Sequence, residues 1–432
     1  MGLPEYREQL DIDILAAMRK PTRLYWIALG TTSSFVLIGL VLWVYQIMTG
    51  MGVAGITNPV GWGVYITNFV FWIGIAHSGT LISAVLFLLR AKFRSRFNRS
   101  AEAMTVIALV VAGMFPLIHL GRAWLFYYLI PYPNQRQLWV NFRSPLVWDV
   151  FAVSTYLTVS VIFFYVGLVP DLAIVRRFSK GIRKAVYSVL SLGWEGSVSQ
   201  WLHYNRLYFF LAAFATPLVV SVHSVVSWDF AMSILPGWHT TIFAPYFVAG
   251  AIFSGTAMVV TLVVPMRKMF SLEKYITLDH FDDLAKILLF TSLIVTYAYI
   301  IEFGIAYYSG IIYDVRLFTY RAIGHYAPLF WLMVFCNCVV TLPLFAKRFR
   351  TNLTFLFIIS IFVNIGMWLE RFVIIVTSLA KDFDPYSWGT YVPSFVEIGI
   401  TIMSFSIFFT LFLLFAKLLP VLAITEVKEE AG

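Results

Sequence analysis

Cysteine is almost absent from this sequence, and so is charge. The 432 residues include two cysteines, Cys336 and Cys338. A structural zinc site or an iron–sulfur cluster takes about four ligands, so the chain cannot supply either from cysteine. No C-x-x-C-H haem-attachment sequence occurs. Charged residues make up 12% of the chain and apolar residues 60%, against about 25% and about 45–50% in an ordinary soluble protein. That balance excludes a soluble enzyme, a disordered chain and a secreted disulfide scaffold. In a soluble protein the net charge of +9 would point to nucleic acid. Here the cations fall between long apolar runs, and no nucleic-acid partner is expected.

What is present is apolar sequence in blocks of helix length. A membrane-spanning helix needs roughly 20 apolar residues. Ten candidates follow, α1 to α10 in chain order: 24–48, 61–89, 102–127, 145–169, 207–227, 241–265, 284–308, 327–346, 353–377 and 393–416. The runs are continuous rather than alternating, which argues against membrane strands. Residues 1–23 read as a polar cytoplasmic segment bracketed by Pro4 and Pro21, without the pattern of a signal peptide. Residues 419–432 read as a cytoplasmic tail. Lys and Arg divide 23 to 6 between alternate loops, and the richer side is expected to be cytoplasmic. Both termini then fall inside.

A faint repeat runs through the chain. Ser78-Gly79-Thr80 in α2 precedes Arg90, and Ser254-Gly255-Thr256 in α6 precedes Arg267. Both helices run inward, so the copies are parallel. The expected fold is an all-α integral membrane protein with about ten transmembrane helices. Two parallel-related four-helix bundles, α2–α5 (61–240) and α6–α9 (241–391), are flanked by α1 (24–60) and α10 (392–418) in a membrane domain over 24–418.

Placing Arg, Lys or Asp at the centre of a span costs about 2.5–3.5 kcal/mol, so each such residue needs a partner or a task. The candidates are His77, His119, Asp149, His223, Glu302, Glu370, Arg371 and Glu397, with Asp229 just past α5. His77 is placed near the middle and the others toward the outer side. The cytoplasmic half is expected to be nearly free of titratable groups apart from edge residues such as Glu102 and Lys286. Glu397 reads as a helix-end residue, His223 as a satisfied core histidine, and Glu370–Arg371 as an internal ion pair, with each other or with Asp149. His119 is different. Pro116 loosens the helix one turn earlier, and Arg122 follows at i+3 on the same face.

A His and carboxylates near one membrane face, among aromatic residues, suit quinol oxidation. The reaction requires a lipophilic ring to be bound, two protons accepted and two electrons passed on. A neutral His and an Asp can hydrogen-bond the two hydroxyls and take their protons. The seven histidines offer no pair expected to face each other as haem ligands, so the electron acceptor must sit on a partner.

The sequence resembles the NrfD/polysulphide-reductase family of membrane subunits, roughly over residues 20 to 418. The resemblance rests on Trp62-Gly63, on Gly74-Ile75-Ala76-His77-Ser78-Gly79-Thr80, on His119-Leu120-Gly121-Arg122 and on Trp148-Asp149. Ten helices look most like the homologues in alternative complex III, and His119, Asp149, Asp229 and Arg371 match the pattern of its quinol-oxidising (ActC-type) subunit. That resemblance implies His119 and Asp149 as catalytic residues, Asp229 and His77 in proton transfer, and Arg371 and Arg122 in charge compensation, with no metal. It implies a quinone or quinol, menaquinol or ubiquinol, with no haem or iron–sulfur cluster on this chain and no activity from the chain alone. It also implies partners in the bacterial cytoplasmic membrane: an iron–sulfur subunit at the outer face, multihaem cytochrome c subunits, a paralogous ten-helix subunit and lipids. Two other readings stand beside it, the sister ActF-type structural or proton-conducting subunit and a secondary transporter. The quinol protons are expected to leave to the outer side.

Overall fold

The computed structural model describes residues 3–19, 22–130 and 143–430; Lys20 and Arg136 lie outside the described residues. All ten expected spans are long apolar helices: α1 Arg23–Thr49, α2 Val64–Leu88, α3 Asn98–His119, α4 Pro145–Arg177 and α5 Val198–Ala231, then α6 Phe243–Met269, α7 Leu278–Ser309, α8 Ala327–Phe345, α9 Leu353–Ala380 and α10 Phe395–Leu418. The described residues contain no strand. Several bounds move from their apolar limits for local reasons. α5 begins nine residues earlier than 207, at a capping box in which Ser197 Oγ accepts from the Gln200 backbone N–H at 3.3 Å. α3 ends at His119 rather than near 127, because Gly121 turns the chain with φ +72°.

The helices pack as two rings, α2–α3–α4–α5 and α6–α7–α8–α9, joined where α2 meets α6 and α9 and where α5 meets α6; α10 lies on α3 and α2, and α1 packs on α10, with its buried Gln46 reaching Tyr65 of α2 and the Ile118 carbonyl of α3. The repeat therefore stands at the joint. Ser78 Oγ and Thr256 Oγ1 are 3.2 Å apart, and a Cβ on Gly255 would lie 2.3 Å from Ser78 Cβ and 2.7 Å from the Ile75 carbonyl. Only glycine allows this approach. Gly255→Ala is expected to lower the melting temperature of the purified chain, since overpacking costs about 1–3 kcal/mol. An unchanged melting temperature would mean that the two bundles part freely there.

One expectation is corrected at the end of the molecule carrying the basic loops. That end is rich in buried charge. Arg99 donates to Glu102 at 2.7 Å, to the Gly167 carbonyl at 2.7 Å and to Asp171 at 2.8 Å. Tyr208 donates to Glu102 at 3.1 Å, and Arg94 pairs with Glu426 at 3.0 Å. Thr425 donates to Asp171 from both its backbone and its hydroxyl. Asp171 lies beyond the apolar run of α4 and Glu426 in the tail, so no single stretch of sequence reveals the cluster. The tail and the N-terminal helix Leu3–Arg19 meet at this same end, through Lys428 and Asp11 at 2.7 Å.

Candidate functional site

The sharp end of α3 sets up the site. Leu120 and Gly121 donate to the carbonyls of Pro116 and Ile118, each at 3.1 Å, which closes the helix within one turn of His119. Pro116 has no N–H to bond the preceding turn. His119 is thereby held at the lip of a helix whose last turn is not regular. α4 starts at Pro145, a residue suited to the first helical position, and carries Asp149 in its second turn.

A cavity of about 300 Å³ lies between α2, α3, α4 and the C-terminal end of α5, and His119, Asp149 and Asp229 all line it. Apart from Ser154 the remaining wall is apolar, with Ile66, Phe69, Leu120, Leu129, Leu146 and Val153 among its residues, and Trp62 closes it. His119 Nδ1 is shielded and meets no hydrogen-bond partner among the described residues, while the buried carboxyls of Asp149 and Asp229 lie against each other, close enough to share a hydrogen bond when one is protonated. Burying a polar atom without a partner is costly, so an unpartnered imidazole nitrogen beside a carboxyl pair on one largely apolar cavity marks a place for a ligand with polar groups on an apolar body. Residues 119, 149 and 229 are far apart in sequence, and the helix ends bring them together.

Trp62 was visible in the sequence only as part of a motif. Its ring stacks on Trp238 with centroids 5.8 Å apart and meets Phe230 edge-on at 6.2 Å. The Trp238 indole N–H in turn donates to the Ile374 carbonyl of α9 at 2.7 Å. One wall of the cavity is thus braced by the second bundle. A large aromatic just before a span is the only sequence signal for this role, and many membrane helices carry one at the interface.

The other residues singled out in the sequence lie elsewhere. Arg122 does not share a helical face with His119; it follows the Gly121 turn and is exposed. Arg371 is buried beside the ring of Phe247, its guanidinium 5.1 Å from the centroid, and pairs with its neighbour Glu370. Glu370 also accepts from the Tyr299 hydroxyl, which accepts from Asn337 at 2.8 Å. Among the described residues, no ion pair or hydrogen bond joins Arg371 to Asp149 or Asp229. His77 donates Nδ1–H to the Ile73 carbonyl at 2.5 Å. Its ring lies 4.4 Å from that of His223, whose two nitrogens have no well-formed hydrogen bond. Two histidines therefore do face each other, and His223, fully buried, also sits against the Phe247 backbone. The sequence hid this because α2 and α5 are not neighbours in the chain. Rings in such contact lack the spacing of two axial ligands on opposite sides of a macrocycle.

Two further buried carboxylates are structural. Glu397 accepts from the backbone N–H groups of Gly55 at 2.7 Å and Ser394 at 2.9 Å, and from the Tyr391 hydroxyl at 2.8 Å. It closes the capping box of α10 and ties down the loop after α1. Glu302 pairs with Arg321 at 3.2 Å, and Arg321 also donates to Thr377 and Ser378.

Known proteins place this arrangement in context. The chain is 30% identical over 237 residues to a Halobacterium salinarum protein named as a membrane subunit of a dimethyl sulfoxide reductase, a match covering 55% of this chain and 50% of that one. It is 23% identical over 242 residues to a protein of Mesobacillus selenatarsenatis named as a selenate reductase subunit, covering 54% and 55%. It is also 23% identical over 158 residues to an Hdr-like menaquinol oxidoreductase integral membrane subunit of Archaeoglobus fulgidus, covering 37% and 38%. The chain spans about half the length, or less, of these relatives. Residues 52–381, which include the whole cavity and both bundles, match the family described as Polysulphide reductase, NrfD, and the chain belongs to that family.

Proposed function

We propose that this chain is the quinol-binding and quinol-oxidising membrane subunit of a multi-subunit electron-transfer complex, of the alternative complex III type. The observation that carries the reading is the convergence of the unpartnered His119 imidazole nitrogen and the Asp149–Asp229 carboxyl pair on one largely apolar cavity. A relative whose name includes menaquinol oxidoreductase supports quinol as the substrate class. Quinol oxidation supplies two electrons and two protons, and this chain's residues deal with the protons. His119 accepts a hydrogen bond and then the proton from one hydroxyl, its imidazole being suited to proton transfer near neutral pH. Asp149 takes the second proton or orients His119, and Asp229, at the end of α5, passes protons toward the outer side. Ile66, Phe69, Leu146 and Val153 receive the ring and the start of its tail. The electrons go to a redox group on a partner, an iron–sulfur subunit in this reading, because the sequence lacks the ligands for a cluster of its own.

The test is binding of a quinol analogue to the full chain in nanodiscs. Trp62→Ala should weaken binding by about tenfold, as expected for loss of a large buried aromatic contact, and His119→Ala should weaken it too. Equal affinity in all three proteins would place the quinol site elsewhere. The purified chain should turn over no cytochrome acceptor; turnover by the single chain would sink the assignment of electron transfer to a partner.

A further inference from the structure

The connection from α4 to α5 carries five cations in nine residues, Arg176, Arg177, Lys180, Arg183 and Lys184, and reaches no acidic residue before Glu195. Arg176 is used internally, donating to Ser191 Oγ at 3.1 Å and to the Trp194 carbonyl at 3.0 Å. The other four are exposed, and none makes an ion pair among the described residues. Arg177 lies near Asp11, but exposed like charges at this density repel one another, so Lys180, Arg183 and Lys184 lack a counter-charge among the described residues.

The same connection contains the ten-residue helix Gly181–Leu190. One side is anchored: Tyr187 packs on Leu168, Leu172 and Val175 of α4, and its hydroxyl donates to the Leu418 carbonyl at 2.7 Å. Another side is apolar and uncovered. Ile182, Val186 and Val189, at i, i+4 and i+7, are 85%, 48% and 73% exposed.

Height relative to the bilayer decides what covers that side. The Tyr165 hydroxyl donates to the Leu190 carbonyl at 2.9 Å. Tyr165 lies twelve residues before the end of α4, about 18 Å along its axis. The chain has therefore turned back, and the helix climbs from the polar end of α4 to the level of its apolar stretch. Val189 at that level faces acyl chains. Lys184, five residues earlier, lies up to about 8 Å further out, comparable with the thickness of the headgroup layer.

We propose that this helix is seated in the membrane interface and binds anionic phospholipid. Lys180, Arg183 and Lys184 take the phosphates while Ile182, Val186 and Val189 enter the acyl layer. Charge complementarity selects an anionic lipid over a zwitterionic one. A protein partner would need an acidic and apolar face at a height where lipid already is.

The experiment uses the full chain in nanodiscs of phosphatidylcholine containing a minor fraction of phosphatidylglycerol, with retained lipids counted by native mass spectrometry. The wild-type chain should retain phosphatidylglycerol in preference to phosphatidylcholine, and high salt should weaken that preference. Lys180→Gln/Arg183→Gln/Lys184→Gln should reduce the preference by at least about tenfold, since each cation near an anionic surface is worth about a fivefold factor. Lys347→Gln/Arg348→Gln, in another basic loop, should reduce it less than the triple variant does. Val186→Ser/Val189→Ser keeps every cation and should still lose retained lipid. No lipid preference in the wild type, or equal preference in the triple variant, overturns the proposal. So does a wild-type dimer that the triple variant separates, which would make this face a contact between copies.

Discussion

His119→Ala and Asp149→Asn should each reduce quinol oxidation by the assembled complex by about a hundredfold or more, with the redox groups of the partner subunits fully present. General acid–base groups contribute about 10²–10⁴-fold, and both residues line the same cavity, His119 with an unpartnered nitrogen and Asp149 beside the Asp229 carboxyl. Neither change should disturb folding. His119 is the last residue of α3 and its Nδ1 holds no partner among the described residues, and Asp149→Asn keeps a hydrogen-bonding side chain beside Asp229, so little structure is lost with them. The check is a comparison of two measurements on one preparation: haem and iron–sulfur absorbance for assembly, and the steady-state rate for function. Normal turnover in a fully assembled Asp149→Asn complex would remove Asp149 from the mechanism. Loss of assembly without a change in rate per complex would make it a structural residue.

The parts of this molecule that were legible in its sequence are those that depend on one local property. Ten apolar runs give ten helices because the bilayer demands satisfied backbone and apolar surface over about 20 residues. The cavity was partly legible too. A polar group inside a span is expensive, so His119 and Asp149 stand out against their neighbours, as does Asp229 near the end of its own. Trp62 did not stand out, because an aromatic at a span end is what the interface itself favours. The Arg99–Glu102–Asp171 cluster, the facing rings of His77 and His223, and the Glu302–Arg321 pair were illegible for another reason. Each depends on a partner from another helix: His77, His223 and Glu302 stand out singly as buried ionisable groups, but nothing local in the sequence names the group each one meets. The bend after His119 falls between these cases. Pro116 signals a weakened helix, but the turn itself is made by Gly121 in a left-handed conformation, and that moves Arg122 away from the face where helical spacing would put it.

Replacing Arg371 alone should remove most of the folded protein. Glu370 is fully buried next to it, and apart from the Tyr299 hydroxyl its carboxylate has Arg371 as its counter-group. Breaking a buried ion pair from one side costs about 3–5 kcal/mol, a large share of the roughly 5–15 kcal/mol that a folded domain has in reserve. Arg371→Ala should therefore give a low yield of chain with a depressed melting temperature. Glu370→Gln/Arg371→Met removes both charges while keeping similar volume, and exchange of a buried pair for neutral groups is often tolerated. The double variant should recover most of the yield, and its complex should oxidise quinol at close to the wild-type rate. The contrast separates two roles for Arg371. If it compensates Asp149 and Asp229, as the family resemblance suggests, the recovered double variant would be well folded and inactive. If it serves Glu370 and the aromatic wall of Phe247, as the contacts place it, yield and activity return together. The geometry favours the second outcome, because the guanidinium lies over Phe247 of α6 and no hydrogen bond or ion pair among the described residues carries its charge to either aspartate.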